Sequence, residues 1–300
     1  RKVLYYVRQL QDKRYDAILS SWVHLMDDGT ISAVGTQSRV FRNSRGVRYV
    51  GRIHEYITSV DGSDFRFVDA VNELSIFHTG YGKALHDGKV SSGRNLKIIL
   101  KELEEHPDSH RMLGYLGDEY YSAENLEKAE EAFRKSISLM PDTVETIDPI
   151  RTAMTFTKLM EILYANIETT EENFMEIYNK ATLRLPQEGD FDFYAGKYFS
   201  RHGNYRKAEK HLKRALAQLE KYGTAFKSMF LSGDIRQAYE MLATCCFNNG
   251  NLAECINYST VLLKADRYLM STLFLMLTAF SFDERSGRKE AASALAVATF

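Results

Sequence analysis

Residues 113–141 read LGYLGDEYYSAENLEKAEEAFRKSISLMP. Small residues at Gly117 and Ala129 allow two helices to approach closely, and Tyr120 and Phe133 fill the gap between them. Pro141 stops the second helix, because proline has no amide hydrogen to continue the ladder. With Leu113, Leu116 and Ser136 these positions fit a helix–turn–helix unit of about 34 residues, a kind that stacks into arrays.

The pattern returns downstream. One unit carries Gly196, Phe199, Gly203, Ala208, Leu212 and Ala215; another carries Leu242, Ala243, Cys246, Gly250, Leu252, Cys255 and Leu262. On these positions the chain resembles a tetratricopeptide array. The position of Ala129 recurs at Ala208 and Cys255, so the spacing is 79 and then 47 residues and the array is irregular. A helix pair at Pro149–Ala165 and Glu171–Leu185, an insertion at Leu216–Ser232 and a capping pair running to Phe300 are expected. Before the first unit, a helix capped by Ser91 or Ser92 carries the stripe Leu96, Ile99, Leu100 and Leu103 and ends at Pro107. First helices of such pairs line a groove. Here they bear Arg111, Asp118, Tyr121, Lys197, Arg201, Glu240 and Asn248, a mixed polar lining suited to a peptide, a protein partner or a homodimer contact.

Residues 1–88 differ in kind. A short helix at Lys2–Gln11 is followed by strands at Ala17–Leu25, Thr36–Asn43, Val47–Val60 and Ala70–His78, separated by turns at Asp27-Asp28-Gly29, Ser44-Arg45-Gly46 and Asp61–Asp64. These predict a small antiparallel β meander, too thin for an independent core. The fold class is therefore α+β: a β segment over 1–88 and an all-α solenoid over 89–300. The chain opens on Arg1 inside what reads as a domain, so a fragment is expected.

Bulk properties narrow the function classes. A net charge of -1 gives no electrostatic case for nucleic acid or an anionic membrane. Cys245, Cys246 and Cys255 fall inside helix patterns and are expected to be reduced core thiols of a cytoplasmic protein. Tyr268–Phe282 is apolar but shorter than the ~20 residues that span a bilayer, so a buried array helix is expected.

Three motifs follow one another in the β segment: Arg39-Val-Phe-Arg-Asn43, Tyr49-Val-Gly-Arg-Ile-His-Glu55 and His78-Thr-Gly-Tyr81. As a set, over about residues 1–100, they resemble the C-terminal half of a family 2 glycosyltransferase of the GT-A fold with tetratricopeptide repeats behind it. The resemblance implies a parent enzyme moving a sugar from a nucleotide-sugar donor to a peptide, protein or glycan acceptor with Mn²⁺ or Mg²⁺. It also implies that the nucleotide-binding half, with its D-x-D metal motif, is missing, and that this chain alone is inactive. The one D-x-D here, Asp190-Phe-Asp192, opens a repeat helix, where acids suit the helix dipole.

Within that resemblance Glu55 is the candidate general base. A regular strand would put it on an apolar face, where desolvation raises a carboxyl's pKa; the other reading is a structural acid paired with Arg48 or Arg52. His54 then faces the opposite way as an orienting or structural residue. His78 matches the family's third metal ligand, and a hydrogen-bonded core histidine is the alternative. Arg39, Arg42 and Lys83 are candidates for the diphosphate or acceptor, with at most one of the two arginines facing the site. Trp22 and His24 sit on an earlier strand.

Overall fold

The computed structural model describes residues 2–11, 15–43, 46–53, 55–60, 66–79, 93–141, 148–224 and 227–285. The chain divides into two compact units, 1–125 and 126–300. The boundary expected at 88/89 lies outside the described residues.

The first unit begins with α1 (Lys2–Gln11), then β1 (Ala17–Leu25), β2 (Ile31–Phe41), β3 (Val47–Val50), β4 (Tyr56–Ser59), β5 (Phe67–Asp69) and β6 (Ser75–His78). β1 is the centre of the larger sheet. β2 pairs with it antiparallel, and β5 and β6 pair with it parallel. The expected antiparallel meander is thus corrected to a mixed sheet. The expected long strand over Val47–Val60 is also corrected. Gly51 takes φ +99°, a conformation that side-chain-bearing residues rarely adopt. The chain reverses there, and β3 and β4 form a separate hairpin with Val50 opposite Tyr56.

A central strand is covered on both faces, and Ala17, Ile18, Ser20, Ser21 and Val23 are all buried. Tyr6 and Leu10 lie four residues apart on one face of α1 and meet Ile18 and Ala70, with Val68 and Leu74 beside them. Asp16 ties the strand ends. Its carboxylate accepts from Arg42 Nη1 at 3.2 Å and from the Arg66 amide at 3.1 Å. Two helices complete the unit, α2 (Arg94–Glu105) and α3 (His110–Ser122), the second capped by Ser109. The cap expected at Ser91 or Ser92 lies outside the described residues.

The second unit is helical: α4 (Leu126–Leu139), α5 (Pro149–Ala165), α6 (Glu171–Arg184), α7 (Gly189–Arg201), α8 (Tyr205–Tyr222), the short α9 (Met229–Gly233), α10 (Ile235–Asn248), α11 (Leu252–Ala265) and α12 (Met270–Arg285). The starts are written in the sequence. Asp148 accepts from the amides of Ile150 and Arg151 ahead of α5, with Pro149 in the first turn. Thr170 and Asn204 cap α6 and α8 the same way. The repeat positions do what their sizes require. A Cβ on Gly196 would lie 2.5 Å from Leu212 Cγ, so α7 and α8 close to a distance only glycine permits. Phe156, Phe174, Phe191, Phe193 and Phe199 are fully buried, and Phe174 stacks on Tyr198 with ring centroids 4.3 Å apart.

The C-terminal end departs from expectation. Met276 and Ala279 of α12 are buried, but Phe274 is 74% exposed and Met270, Leu277 and Phe282 are exposed too. α12 is therefore not a fully buried helix. The expected second helix of this pair lies outside the described residues. Among the described residues no helix is long and apolar enough to cross a membrane.

Candidate functional site

The hairpin decides the fate of Glu55. It precedes β4 outside any regular strand and is exposed, so the apolar strand face that would have desolvated it does not exist. Arg52 does not pair with it. Its guanidinium bonds both carboxylate oxygens of Glu105 on α2, at 2.7 and 2.6 Å. Glu55 borders a groove of about 260 Å³ with Leu19, Ser38, Arg39, Tyr49 and Phe67.

His78 lies elsewhere. It pairs in register with His24, and its ring stands 5.1 Å from Trp22 and 5.4 Å from His24. Burial, then the charge of His78, lowers the pKa of His24. Side chains alternate along a strand, so Trp22 and His24 occupy one face of β1 and Leu19 the other. Glu55 borders a groove that Leu19 and Arg39 also line, whereas His78 packs against Trp22 and His24. Arg39 is the extra residue of a bulge between the Ile18–Val40 and Leu19–Ser38 pairs, and its guanidinium lies 4.9 Å above Trp22. Arg42 is taken up by Asp16. His54 and Lys83 lie outside the described residues. The structure thus brings together His78, His24, Trp22 and Arg39, and Arg39 also lines the groove beside Glu55.

In the helical unit the two D-x-D carboxylates part company. Asp192 accepts from Tyr178 Oη at 2.8 Å and sits 2.8 Å from His211 Nδ1 and 3.1 Å from Arg214 Nε. Asp190 instead accepts the amides of Phe230 and Leu231, at 3.1 and 2.8 Å. Both are structural, tying α7 to different neighbours. Lys197, expected on the groove wall, is held among rings. Its ammonium is 5.1, 5.2 and 5.0 Å from Tyr164, Phe193 and Tyr194, and burial lowers its pKa.

Among the described residues, the one group of three side chains close enough to share a metal ion is Glu209, Cys246 and Glu254. Lys213 already serves as its cation, 2.8 Å from Glu209 and 2.6 Å from Glu254. The three cysteines are buried and free, as expected of core thiols. Burial pushes the Cys245 and Cys255 thiols up to about 11 and raises Cys246 further, which makes them poor nucleophiles.

A groove of about 410 Å³ lies between α10 and α12 of the helical unit. Phe247, Phe274 and Leu275 give it apolar walls, Thr244 and Thr278 give it hydroxyls, and Glu240 gives it a carboxylate. Glu240 bonds Arg236 one turn away, at 3.3 Å, and retains partial exposure. Sequence reasoning placed Glu240 on a groove but missed the α12 wall. The signal was there: Met270 begins α12 35 residues after Ile235 begins α10, close to one repeat.

Comparison with known proteins finds no family model and no curated protein that matches this chain. Solved structures do match. YrrB, described as a TPR protein with an unusual peptide-binding site, is 16% identical with a TM-score of 0.49, over 66% of this chain and 88% of that one. The protein MamA is 16% identical with a TM-score of 0.45, over 64% and 91%. The C-terminal part of a TPR repeat-containing protein from Cytophaga hutchinsonii is 14% identical with a TM-score of 0.47, over 70% and 74%. The expectation of a glycosyltransferase fragment is corrected here. The structures matched are repeat proteins, and the carboxylate that sugar transfer called on as base is an exposed turn residue.

Proposed function

We propose that this chain is a protein-interaction scaffold whose helical repeats bind a partner polypeptide in the groove between α10 and α12. The observation that carries this reading is the groove itself, about 410 Å³ between the first helices of successive pairs. A space of that size accepts a few side chains of an extended peptide. Phe247, Phe274 and Leu275 suit an apolar or aromatic side chain. Thr244 and Thr278 already donate to carbonyls of their own helix, so their oxygens face the peptide as acceptors. Glu240 favours a basic residue beside the apolar one. YrrB, a repeat protein described as having a peptide-binding site, is consistent with this use of the architecture.

Selection of a displayed peptide library on the whole chain, followed by titration calorimetry, tests the reading. The enriched peptides should pair an apolar with a basic residue. Phe274→Ala should weaken them about tenfold or more, by removing an exposed anchor at the groove wall. Enriched peptides indifferent to both Phe274→Ala and Phe247→Ala would move the binding surface elsewhere.

A further inference from the structure

The start of α7 buries two carboxylates, Glu188 at 4% and Asp190 at 3% exposure, and among the described residues neither forms an ion pair. Lys227 acts on Glu188 from a distance and spends its ammonium on Gln187 Oε1 at 2.7 Å. The carboxylates hold the stretch 228–231 by its backbone. Glu188 accepts from the amides of Ser228 and of Asp190, and Asp190 accepts from those of Phe230 and Leu231. In return the Gly189 amide donates to Ser228 Oγ at 3.1 Å.

A cavity of about 10 Å³ lies against this pair, lined by Thr157, Glu188, Asp190, Ile150, Met229 and Phe230. That is room for one water molecule. Thr157 is 1% exposed, and its Oγ1 has no hydrogen-bond partner among the described residues. Other helix threonines return their hydroxyl to the carbonyl four residues back: Thr155 to Arg151, Thr182 to Tyr178, Thr244 to Glu240 and Thr278 to Phe274. Thr157 lacks such a bond and instead lines the cavity beside the two carboxyls; the cavity's other walls are apolar. An orphaned buried hydroxyl costs about 1–3 kcal/mol, so a partner in the cavity is strongly favoured.

We propose that the cavity is a water-and-proton site: one internal water joins the Thr157 hydroxyl to the Glu188–Asp190 pair, the pair holds one proton between its carboxyls, and together they latch residues 228–231 onto α7. A water needs two to four polar partners, and Thr157 with the two carboxyls supplies them. Like charges this close, without a counter-ion, retain a proton. The groups facing the pair are few. From α5 come Thr157 and apolar side chains, while the nearby Arg151 is turned to Thr155. From the 227–231 stretch comes Lys227. Burial above all, with the charge of Glu188, pushes the Asp190 carboxyl up to about 7, which places loss of the proton near neutrality.

The test combines a high-resolution crystal structure of the whole chain with hydrogen exchange at pH 5.5 and 8.5. The expected structure shows one water within hydrogen-bond distance of Thr157 Oγ1. The Phe230 and Leu231 amides, after correction for intrinsic exchange, should lose at least tenfold in protection at the higher pH, and Asp190→Asn should abolish that difference. Glu188→Gln takes its place if Asp190→Asn does not fold. A dry cavity, a metal ion in it, or protection independent of pH in the unsubstituted chain overturns the proposal.

Discussion

Gly196 has a helical backbone, so its lack of a side chain serves closeness rather than conformation. A Cβ there would lie 2.5 and 2.7 Å from Leu212 Cγ and Cδ2, and Leu212 is itself fully buried with no room to retreat. Gly196→Ala should therefore destabilise the helical unit by about 1–3 kcal/mol despite alanine's better helix propensity, as read by chemical denaturation. Asp190 makes a prediction about pH. Its carboxyl is raised in the fold, to about 7, so the folded chain binds a proton more tightly than the unfolded one. The stability this contributes is fully present below about pH 4, the ordinary carboxyl range, and is lost as pH rises through about 7. Thermal unfolding should show a midpoint falling over that window, and Asp190→Asn should flatten the fall. Both residues were visible in the sequence, Gly196 as a repeat position and Asp190 within a D-x-D. The sequence also put Asp190 at a helix start, but not its partners, because helix contact spacing is local in sequence, whereas the partners of Asp190 lie some forty residues away.

At the scale of elements, the helices were legible and the sheet was not. Pro149, Pro186 and the capping residues fix helix ends locally, and α5 and α6 fall where the spacing puts them. Strand pairing is decided by long-range partners. Nothing within Phe67–Asp69 or Ser75–His78 announces that both run parallel to β1. Gly51 was the missed local signal. It was read as part of one continuous strand, when its φ of +99° makes it the hinge of a hairpin. Gly51→Ala should cost more than about 1 kcal/mol, since alanine cannot take that conformation without strain. The loss should be local, seen as faster amide exchange across 47–59 with the α7–α8 amides unchanged. The same misjudgement produced the general base: one continuous strand put Glu55 on an apolar face, and the hairpin removes that face.

For the whole molecule, charge argued against nucleic acid and an anionic membrane, and the sugar-transfer reading of the first hundred residues is the one corrected. The helical repeats carry the function proposed here, through a groove whose second wall, α12, is apolar and exposed. The decisive measurement is hydrogen exchange mapped along the whole chain with and without a library-selected peptide. Protection should increase in residues 235–248 and 270–285, and Phe274→Ala, with unchanged unfolding, should abolish that increase. Increased protection confined to the first unit, or binding with no change in α10 and α12, would contradict binding in this groove.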